Sequence, residues 1–174
     1  MGPPGCQYGQ IVAEKASAKN RTVLFVCAAN QCRSPMAMAL FSDLVARRGL
    51  QPEKWRIKSA GIWAINGYSA TDFAIQTMKE MKLDLDGHHS QPVTESLLEE
   101  NKLILCMEKE QVTFLKFNFS NHDGKVFLLS EMAGEENDIL DPVGYSLQAY
   151  KTTANKILNY LEKGLQNILK LTEK

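Results

Sequence analysis

A cysteine, an arginine and a serine stand close together in the stretch CAANQCRS, which runs from Cys27 to Ser34. Cys27 follows an apolar, β-branched run, TVLFV, and Arg33 and Ser34 precede a pattern typical of a helix. A thiolate is a soft nucleophile, and a guanidinium presents a planar pair of donors to two oxygens of an oxyanion. The spacing therefore predicts nucleophilic attack on a bound tetrahedral oxyanion such as a phosphate group.

The residues between the cysteine and the arginine are expected to form an anion-binding loop: Ala28, Ala29, Asn30, Gln31 and Cys32. Amides of a tight curl before a helix point inward, and the helix dipole adds positive potential that favours the thiolate of Cys27. Asn30 is expected to adopt the left-handed conformation that such a curl needs, and to brace the loop. Ser34 is expected to cap the helix and to donate a hydrogen bond to the thiolate.

Transfer of a phosphoryl group also requires a proton donor for the departing oxygen. Asp141 in DILDPVGYS is the candidate, because Pro142 and Gly144 predict a rigid turn that holds its side chain in one orientation. Asp138 is a nearby alternative without that turn. A cysteine followed six residues later by an arginine is a weak pattern alone, and the catalytic interpretation depends on the strand before it and the helix after it.

Short apolar runs alternate with helical patterns along the chain, which predicts an α/β fold with a doubly wound parallel sheet. We expect four strands with helices on both faces and the phosphate-binding loop between the first strand and the first helix. The predicted strands are 22–27, 55–59, 102–107 and 125–129. The predicted helices are 34–48, 69–83 (with Phe73, Met78 and Met81 facing inward), 94–101, 108–117 and 146–170, and 130–144 is predicted to be a polar loop. Ligands of such sheets bind at the carboxyl ends of the strands, where Cys27 lies.

Length and composition are those of an ordinary globular domain, with 174 residues, 44% of them hydrophobic. We interpret residues 21–174 as a single catalytic domain and residues 1–20 as a flexible N-terminal extension. The formal net charge is zero and no basic run carries interleaved aromatics, so no nucleic-acid partner is predicted. No apolar stretch approaches the length that spans a membrane, so no membrane association is predicted either.

The cysteines are Cys6, Cys27, Cys32 and Cys106, and no signal peptide precedes them. They are expected to be free thiols in a cytoplasmic protein. A zinc site is not favoured, because no pair of cysteines has the spacing of zinc ligands. No metal and no cofactor are therefore predicted.

Five stretches of the chain occur together in the order VCAANQCRSPMA, SAG, HHSQPVT, LILCME and DPVG. Together they resemble the low-molecular-weight protein tyrosine phosphatases, over about residues 21–170. The resemblance implies a hydrolase in which Cys27 forms a phosphocysteine while Arg33 and the loop amides hold the equatorial oxygens. Asp141 would protonate the phenolate and then activate water, and the substrate would be a phosphotyrosine-containing protein or a small aryl phosphate.

The resemblance also implies a shell of supporting hydrogen bonds around the loop, made by Asn30, Ser34, Ser59 and His88. His88 matches this position better than His89, because it lies three residues before Gln91 and six before Thr94.

Cys32 would be a redox partner that forms a reversible disulfide with Cys27, or else it merely packs beneath the loop. Cys106 is interpreted as a core residue. Trp63 and Tyr145 are placed to form the walls of a slot for a planar phenyl ring.

Some residues depart from the family pattern and leave other functions open. Gln31 is neither the aliphatic residue of many tyrosine-specific members nor the threonine of the phosphoarginine-directed branch, so the choice between these substrates stays open. Gln91 stands where the family often has arginine. An arsenate reductase with the same loop, or a phosphate-binding module without catalysis, are the alternatives. A monomer is favoured over an oligomer.

Overall fold

The structure, a computed structural model, describes residues 20–173. The strands are β1 (Arg21–Cys27), β2 (Trp55–Gly61), β3 (Leu103–Cys106) and β4 (Val126–Leu128). The α-helices are α1 (Arg33–Arg47), α2 (Asp72–Glu80), α3 (Glu95–Glu99), α4 (Lys109–Asn118) and α5 (Leu147–Thr172). Short 3₁₀ helices cover Pro52–Lys54, Ser120–Lys125 and Leu129–Ala133. The predicted N-terminal extension lies, apart from its last residue, outside the described residues. Within 20–173, no helix is both long and apolar enough to cross a membrane.

The four strands form one parallel sheet in the order β2-β1-β3-β4. From β1 the chain first adds β2 on one side and then β3 and β4 on the other, so the winding direction reverses next to β1. Ligands of open parallel sheets bind at this kind of reversal, outside the carboxyl ends of the strands. The predicted fold class is confirmed, and Cys27 ends the strand beside the reversal.

The side chains of β1 alternate between two cores, which is why the strand reads as a continuous apolar run. Val23, Phe25 and Cys27 belong to the core that includes residues of α1, α2 and α5. Leu24 and Val26 belong to the opposite core, which includes residues of α3 and α4. Cys27 therefore lies on the same face of the sheet as the helix that follows the loop.

Helix α1 is capped two residues earlier than the sequence pattern predicted. Its N-cap is Cys32 and Arg33 is its first residue, so the prediction that Ser34 caps the helix is wrong. The Ser34 hydroxyl is directed to Cys27 instead. The stop is as predicted, because Gly49 follows the helix at a φ of 64°, a left-handed conformation that glycine adopts without strain.

Three further expectations differ from the structure. Met78 is fully buried as predicted, but Phe73 is 40% exposed, and its ring packs edge-on against the buried Tyr150 of α5. Helix α2 is also shorter at both ends than the pattern predicted. The segment 130–144 is not wholly irregular, since the 3₁₀ helix Leu129–Ala133 occupies its start.

Candidate active site

Cys27 is the last residue of β1, and its thiol is buried. Its Sγ lies 3.0 Å from Oγ of Ser34. Ser34 Oγ accepts a hydrogen bond from Asn30 Nδ2 at 2.8 Å. The same Oγ lies 3.2 Å from the carbonyl oxygen of Ala60. A hydroxyl has one proton to donate, and it is directed to sulfur when sulfur is a thiolate. The predicted contact between Ser34 and the thiol is thus present.

Asn30 is the centre of the loop's hydrogen bonds. It is fully buried and has a φ of 57°, the left-handed conformation predicted for it. Its Nδ2 donates to Ser34 Oγ at 2.8 Å and to Ser59 Oγ at 2.9 Å, and its Oδ1 accepts from Gln91 N at 2.9 Å. Both amide protons and the amide oxygen are used, so the side chain connects the loop to Ser59 of β2 and to the backbone of Gln91.

Gly61 permits the close approach of β2 to the loop. It pairs with Cys27 in the sheet, and a Cβ built on it would overlap Ala28 O and lie 2.8 Å from Asn30 N. Beyond the strand, Trp63 N donates to Ala28 O at 2.9 Å. The glycine of the SAG stretch is therefore required by backbone contact rather than by a turn.

His88 and Gln91 support the loop from outside. Nε2 of His88 lies 2.7 Å from Asn30 O, and since a carbonyl oxygen only accepts, the imidazole donates. Burial lowers the pKa of His88, so the neutral ring with a proton on Nε2 is favoured. Gln91 Nε2 donates to Ser59 O at 2.9 Å. The predicted supporting residues Asn30, Ser59 and His88 are thus brought together at the loop.

Arg33 is 1% exposed and lies against two carboxylates and a carbonyl. Its Nη1 donates to Ile139 O at 2.8 Å and lies 2.7 Å from Glu108 Oε2, while Nη2 donates to Asp141 Oδ2 at 2.7 Å. Burial alone would lower the pKa of Arg33, but the negative groups around it, Cys27 first among them, raise it. Within residues 20–173, its Nε has no hydrogen-bond partner, and an oxyanion can supply one.

Asp141 lies in a turn that orients its side chain. Its Oδ1 accepts from Val143 N at 3.1 Å, Tyr145 N donates to Pro142 O at 3.0 Å, and Gly144 has a φ of 85°. The Asp141 side chain is 39% exposed, so it has access to both solvent and Arg33. The alternative, Asp138, accepts from Lys109 N at the start of α4 and contacts the helix rather than the arginine.

Trp63 and Tyr145 flank the loop and the Asp141 turn, and both are largely exposed, at 59% and 70%. The Trp63 ring packs edge-on against Phe114, with 6.4 Å between the ring centroids. Tyr145 lines an open groove together with Asp141 and Pro142. Their exposure agrees with the prediction that they form walls for a substrate ring, which stays a prediction.

The described thiols, Cys27, Cys32 and Cys106, are all free. Burial raises the pKa of Cys32, whose thiol lies beside Tyr150. Burial also raises the pKa of Cys106, which is fully enclosed in β3 as predicted. Within residues 20–173, no group of three or more histidine, cysteine or acidic side chains is arranged to hold a metal ion.

Sequence reasoning missed two residues of this site. Glu108, which pairs with Arg33, and Gln111, which donates to Glu108 Oε2 at 2.8 Å, were interpreted only as the start of a helix. A signal was present, because Glu108 follows the buried strand β3 by two residues. Carboxyl ends of parallel strands lie along one edge of a sheet, so a carboxylate there faces the loop after β1.

A family model described as low molecular weight phosphotyrosine protein phosphatase matches residues 22–174. Because this match covers most of the chain, the protein belongs to the low-molecular-weight protein tyrosine phosphatase family. The resemblance inferred from the five sequence stretches is confirmed, and so is the class of enzyme, a cysteine-dependent phosphoric monoester hydrolase.

Individual relatives carry two kinds of name. A protein-arginine-phosphatase of Bacillus subtilis (strain 168) is 37% identical over 142 residues, which are 81% of this chain and 92% of the relative. A probable low-molecular-weight protein-tyrosine-phosphatase, EpsP, of Ralstonia nicotianae is 36% identical over 137 residues, which are 79% of this chain and 88% of the relative. The structure of YwlE arginine phosphatase, a cysteine-to-serine mutant with a phosphorylated active-site serine, matches with a TM-score of 0.79 and 36% identity, over 86% of this chain and 95% of that one.

Proposed function

We propose that the protein hydrolyses phosphotyrosine in proteins, and small aryl phosphates, through a phosphocysteine formed on Cys27. The loop amides and the guanidinium of Arg33 bind the phosphate oxygens, and Asp141 moves the protons. The single observation that carries this proposal is the contact of 2.7 Å between Asp141 Oδ2 and Arg33 Nη2, which draws the candidate acid to the candidate anion-binding group.

In the first step the Cys27 thiolate attacks phosphorus and the bond from phosphorus to the phenolic oxygen breaks. Asp141 gives its proton to that oxygen, so that tyrosine leaves as a neutral phenol. Charge on the equatorial oxygens is stabilised by donors that are already in place, which are the loop amides and Arg33. The Ser34 hydroxyl, 3.0 Å from the sulfur, stabilises the thiolate before attack.

In the second step water attacks phosphorus and the sulfur–phosphorus bond breaks. Asp141, now a carboxylate, takes a proton from that water, and inorganic phosphate and the Cys27 thiolate result. The structure of the relative with a phosphorylated active-site serine supports a covalent intermediate at the equivalent position of its loop.

Hydrolysis of p-nitrophenyl phosphate tests the role of Cys27. The wild type is expected to turn over, and Cys27→Ser is expected to lose at least about a thousandfold in kcat. Cys106→Ser is the matched control, because it removes a buried thiol that belongs to the core on the opposite face of the sheet from Cys27, and it is expected to keep its activity. Full activity in Cys27→Ser would contradict the mechanism.

Phosphoarginine is a second candidate substrate, because the relative that is 37% identical is named a protein-arginine-phosphatase. Gln31 lies in the loop with a partly exposed side chain, and its polarity does not exclude a guanidinium. A panel of phosphotyrosine, phosphoserine and phosphoarginine peptides decides between the candidates. We expect kcat/KM to be highest for phosphotyrosine, since the exposed Trp63 and Tyr145 favour a planar aryl group. A higher kcat/KM for phosphoarginine would reassign the substrate.

The two alternative functions are less well supported. An arsenate reductase of this kind needs further cysteines to relay a disulfide, and outside the loop the described residues offer only the fully buried Cys106. A binding module without catalysis has no need of Asp141 in contact with Arg33. Arsenate-dependent oxidation of thioredoxin would revive the first alternative, and phosphate binding without hydrolysis the second.

Cys32 is proposed to form a disulfide with a Cys27 sulfenic acid made by peroxide, with release of water. Burial raises the pKa of the Cys32 thiol, so this closure is expected to accelerate as the pH rises. Mass spectrometry after peroxide treatment should detect the disulfide, and Cys32→Ser should recover less activity on adding thiol.

Free thiols support a cytoplasmic location, and a monomer is expected to be active because one chain supplies every residue of the site.

A further inference from the structure

Arg33 contacts three acceptors of the protein: Ile139 O and Glu108 Oε2 lie at Nη1, and Asp141 Oδ2 lies at Nη2. We propose that Glu108 is a positioning residue, which occupies one end of the guanidinium and thereby turns the Nε–Nη2 edge toward the bound phosphate. This inference rests on the proposed function, since it assigns a role within the same site.

The Nη1 end of Arg33 is saturated by the protein. Nη1 carries two protons, and it contacts Ile139 O at 2.8 Å and Glu108 Oε2 at 2.7 Å. No proton of Nη1 remains for a phosphate oxygen. A bidentate contact with an oxyanion must therefore use Nε and Nη2, which form the other planar fork of the guanidinium.

Glu108 is held in place by the buried side chain of Gln111. Gln111 Nε2 donates to Glu108 Oε2 at 2.8 Å, and its Oε1 accepts from Met107 N at 2.9 Å and from Glu108 N at 3.1 Å. Gln111, in the first turn of α4, thus holds the Glu108 carboxylate by Oε2, the same oxygen that contacts Arg33. The carboxylate stays on Nη1 while other groups at the site exchange partners.

Asp141 differs from Glu108 in how it is held. Its side chain is 39% exposed against 26% for Glu108, and its other oxygen bonds only to Val143 N within its own turn. Asp141 is therefore the carboxylate that leaves Nη2 when phosphate arrives and turns to the departing oxygen. Nη2 and Nε, the latter without a partner within residues 20–173, then face the phosphate.

Variants of Glu108 separate this role from plain charge compensation. Because both the Arg33 and the Gln111 contacts meet Oε2, a single amide oxygen can replace it, so Glu108→Gln keeps the geometry and loses the charge. Glu108→Asp keeps the charge but is one methylene too short, and Glu108→Ala removes both. Glu95→Ala is the matched control, since Glu95 pairs with His122 at the same distance of 2.7 Å away from the loop.

The experiment measures kcat/KM for p-nitrophenyl phosphate and the inhibition constant of inorganic phosphate. We expect Glu108→Gln to stay within about threefold of the wild type, and Glu108→Asp and Glu108→Ala to lose about ten- to a hundredfold in kcat/KM with weaker inhibition by phosphate. The neutral variant is thus expected to outperform the acidic one. Glu95→Ala should match the wild type.

Wild-type kcat/KM in Glu108→Ala, or loss in Glu108→Gln as large as in Glu108→Asp, would overturn the positioning role. If Glu108→Ala does not fold, the comparison of the Gln and Asp variants still decides. An inactive wild type would instead contradict the proposed function, so the two failures are distinguishable.

Discussion

The carboxylate of Asp141 and the guanidinium of Arg33 form an ion pair of 2.7 Å across the mouth of the loop. Two groups that are separated by 108 residues in sequence thus meet at one edge of the sheet. A phosphate dianion competes with Asp141 for Nη2 of Arg33, so binding of substrate releases the acid that the first step needs.

Replacing Asp141 is expected to matter most when the leaving group is a strong base. Asp141→Asn keeps an oxygen for Arg33 but has no proton to transfer. We expect its kcat to fall about a hundred- to ten-thousandfold for phosphotyrosine peptides. For p-nitrophenyl phosphate, whose phenolate leaves without protonation, the fall in the rate of phenolate release should be about tenfold or less. Equal losses for both substrates in steady-state and single-turnover kinetics would contradict the role of Asp141 as acid.

Asn30 combines an unusual backbone conformation with several hydrogen bonds, and two variants separate these contributions. Asn30→Gly keeps a residue that tolerates the φ of 57° but loses the side-chain bonds to Ser34, Ser59 and Gln91. Asn30→Ala loses the bonds and adds strain. Both should lose about ten- to a hundredfold in kcat/KM, and Ala should be about 1 kcal/mol less stable than Gly in urea unfolding. Wild-type activity in Asn30→Gly would show that these bonds do not shape the loop.

Gly61 and Gly164 both lie in close contact with neighbouring backbone, but only Gly61 contacts the loop. Gly61→Ala pushes against Ala28 and Asn30, and Gly164→Ala pushes against Met132, whose Cβ would lie 2.5 Å away. We expect each to cost about 1–3 kcal/mol in the free energy of unfolding. Activity at a temperature where both are folded should fall only in Gly61→Ala. Normal activity in Gly61→Ala would show that the loop tolerates displacement.

His88 should make the stability of the protein depend on pH below neutrality. Burial lowers its pKa in the folded state, with a smaller contribution from His89, while the unfolded chain binds a proton near the ordinary value of about 6.5. As the pH falls below that value, the unfolded state binds more protons and the folded state loses stability, until the pH reaches the lowered pKa.

His88→Gln keeps an amide donor for Asn30 O and should flatten this dependence in urea unfolding between about pH 7.5 and 5.5. His89→Gln is the control, since His89 is exposed beside the same loop and leaves the contact with Asn30 intact. A slope in His88→Gln as steep as in the wild type would exclude His88 as the source.

The sheet and the loop were predictable because their signals are local. TVLFVC is too short and too β-branched for a helix, and the Ser-Pro pair with the later Gly49 brackets α1. Ser34 as the helix cap was wrong for a physical reason: its hydroxyl bonds with the thiol of Cys27 and the amide of Asn30, and the helix is capped two residues earlier, at Cys32. Sequence rules for helix caps consider only the residues next to the helix start, and they do not account for a partner such as Cys27 at the end of the preceding strand.

The contacts of Arg33 could not be predicted, because they depend on which strands are neighbours. Glu108 contacts Arg33 because β3 pairs with β1, which places the end of β3 beside the loop. Ile139 O contacts Nη1 because the segment that precedes α5 passes over the same edge of the sheet. The prediction that Phe73 faces inward was wrong for a related reason. Its periodic position fits the core face of α2, but its ring packs edge-on against the buried Tyr150 of α5 and stays 40% exposed.

The covalent intermediate is the central claim, and Asp141→Asn provides the most direct way to observe it. With p-nitrophenyl phosphate the first step proceeds without an acid, while the second step lacks its base, so the intermediate should accumulate. We expect mass spectrometry after a rapid denaturing quench to find one phosphoryl group on Cys27, and none in Asp141→Asn with Cys27→Ala. A phosphoryl group on another residue, or rapid release of p-nitrophenol with no phosphorylated protein, would contradict the account.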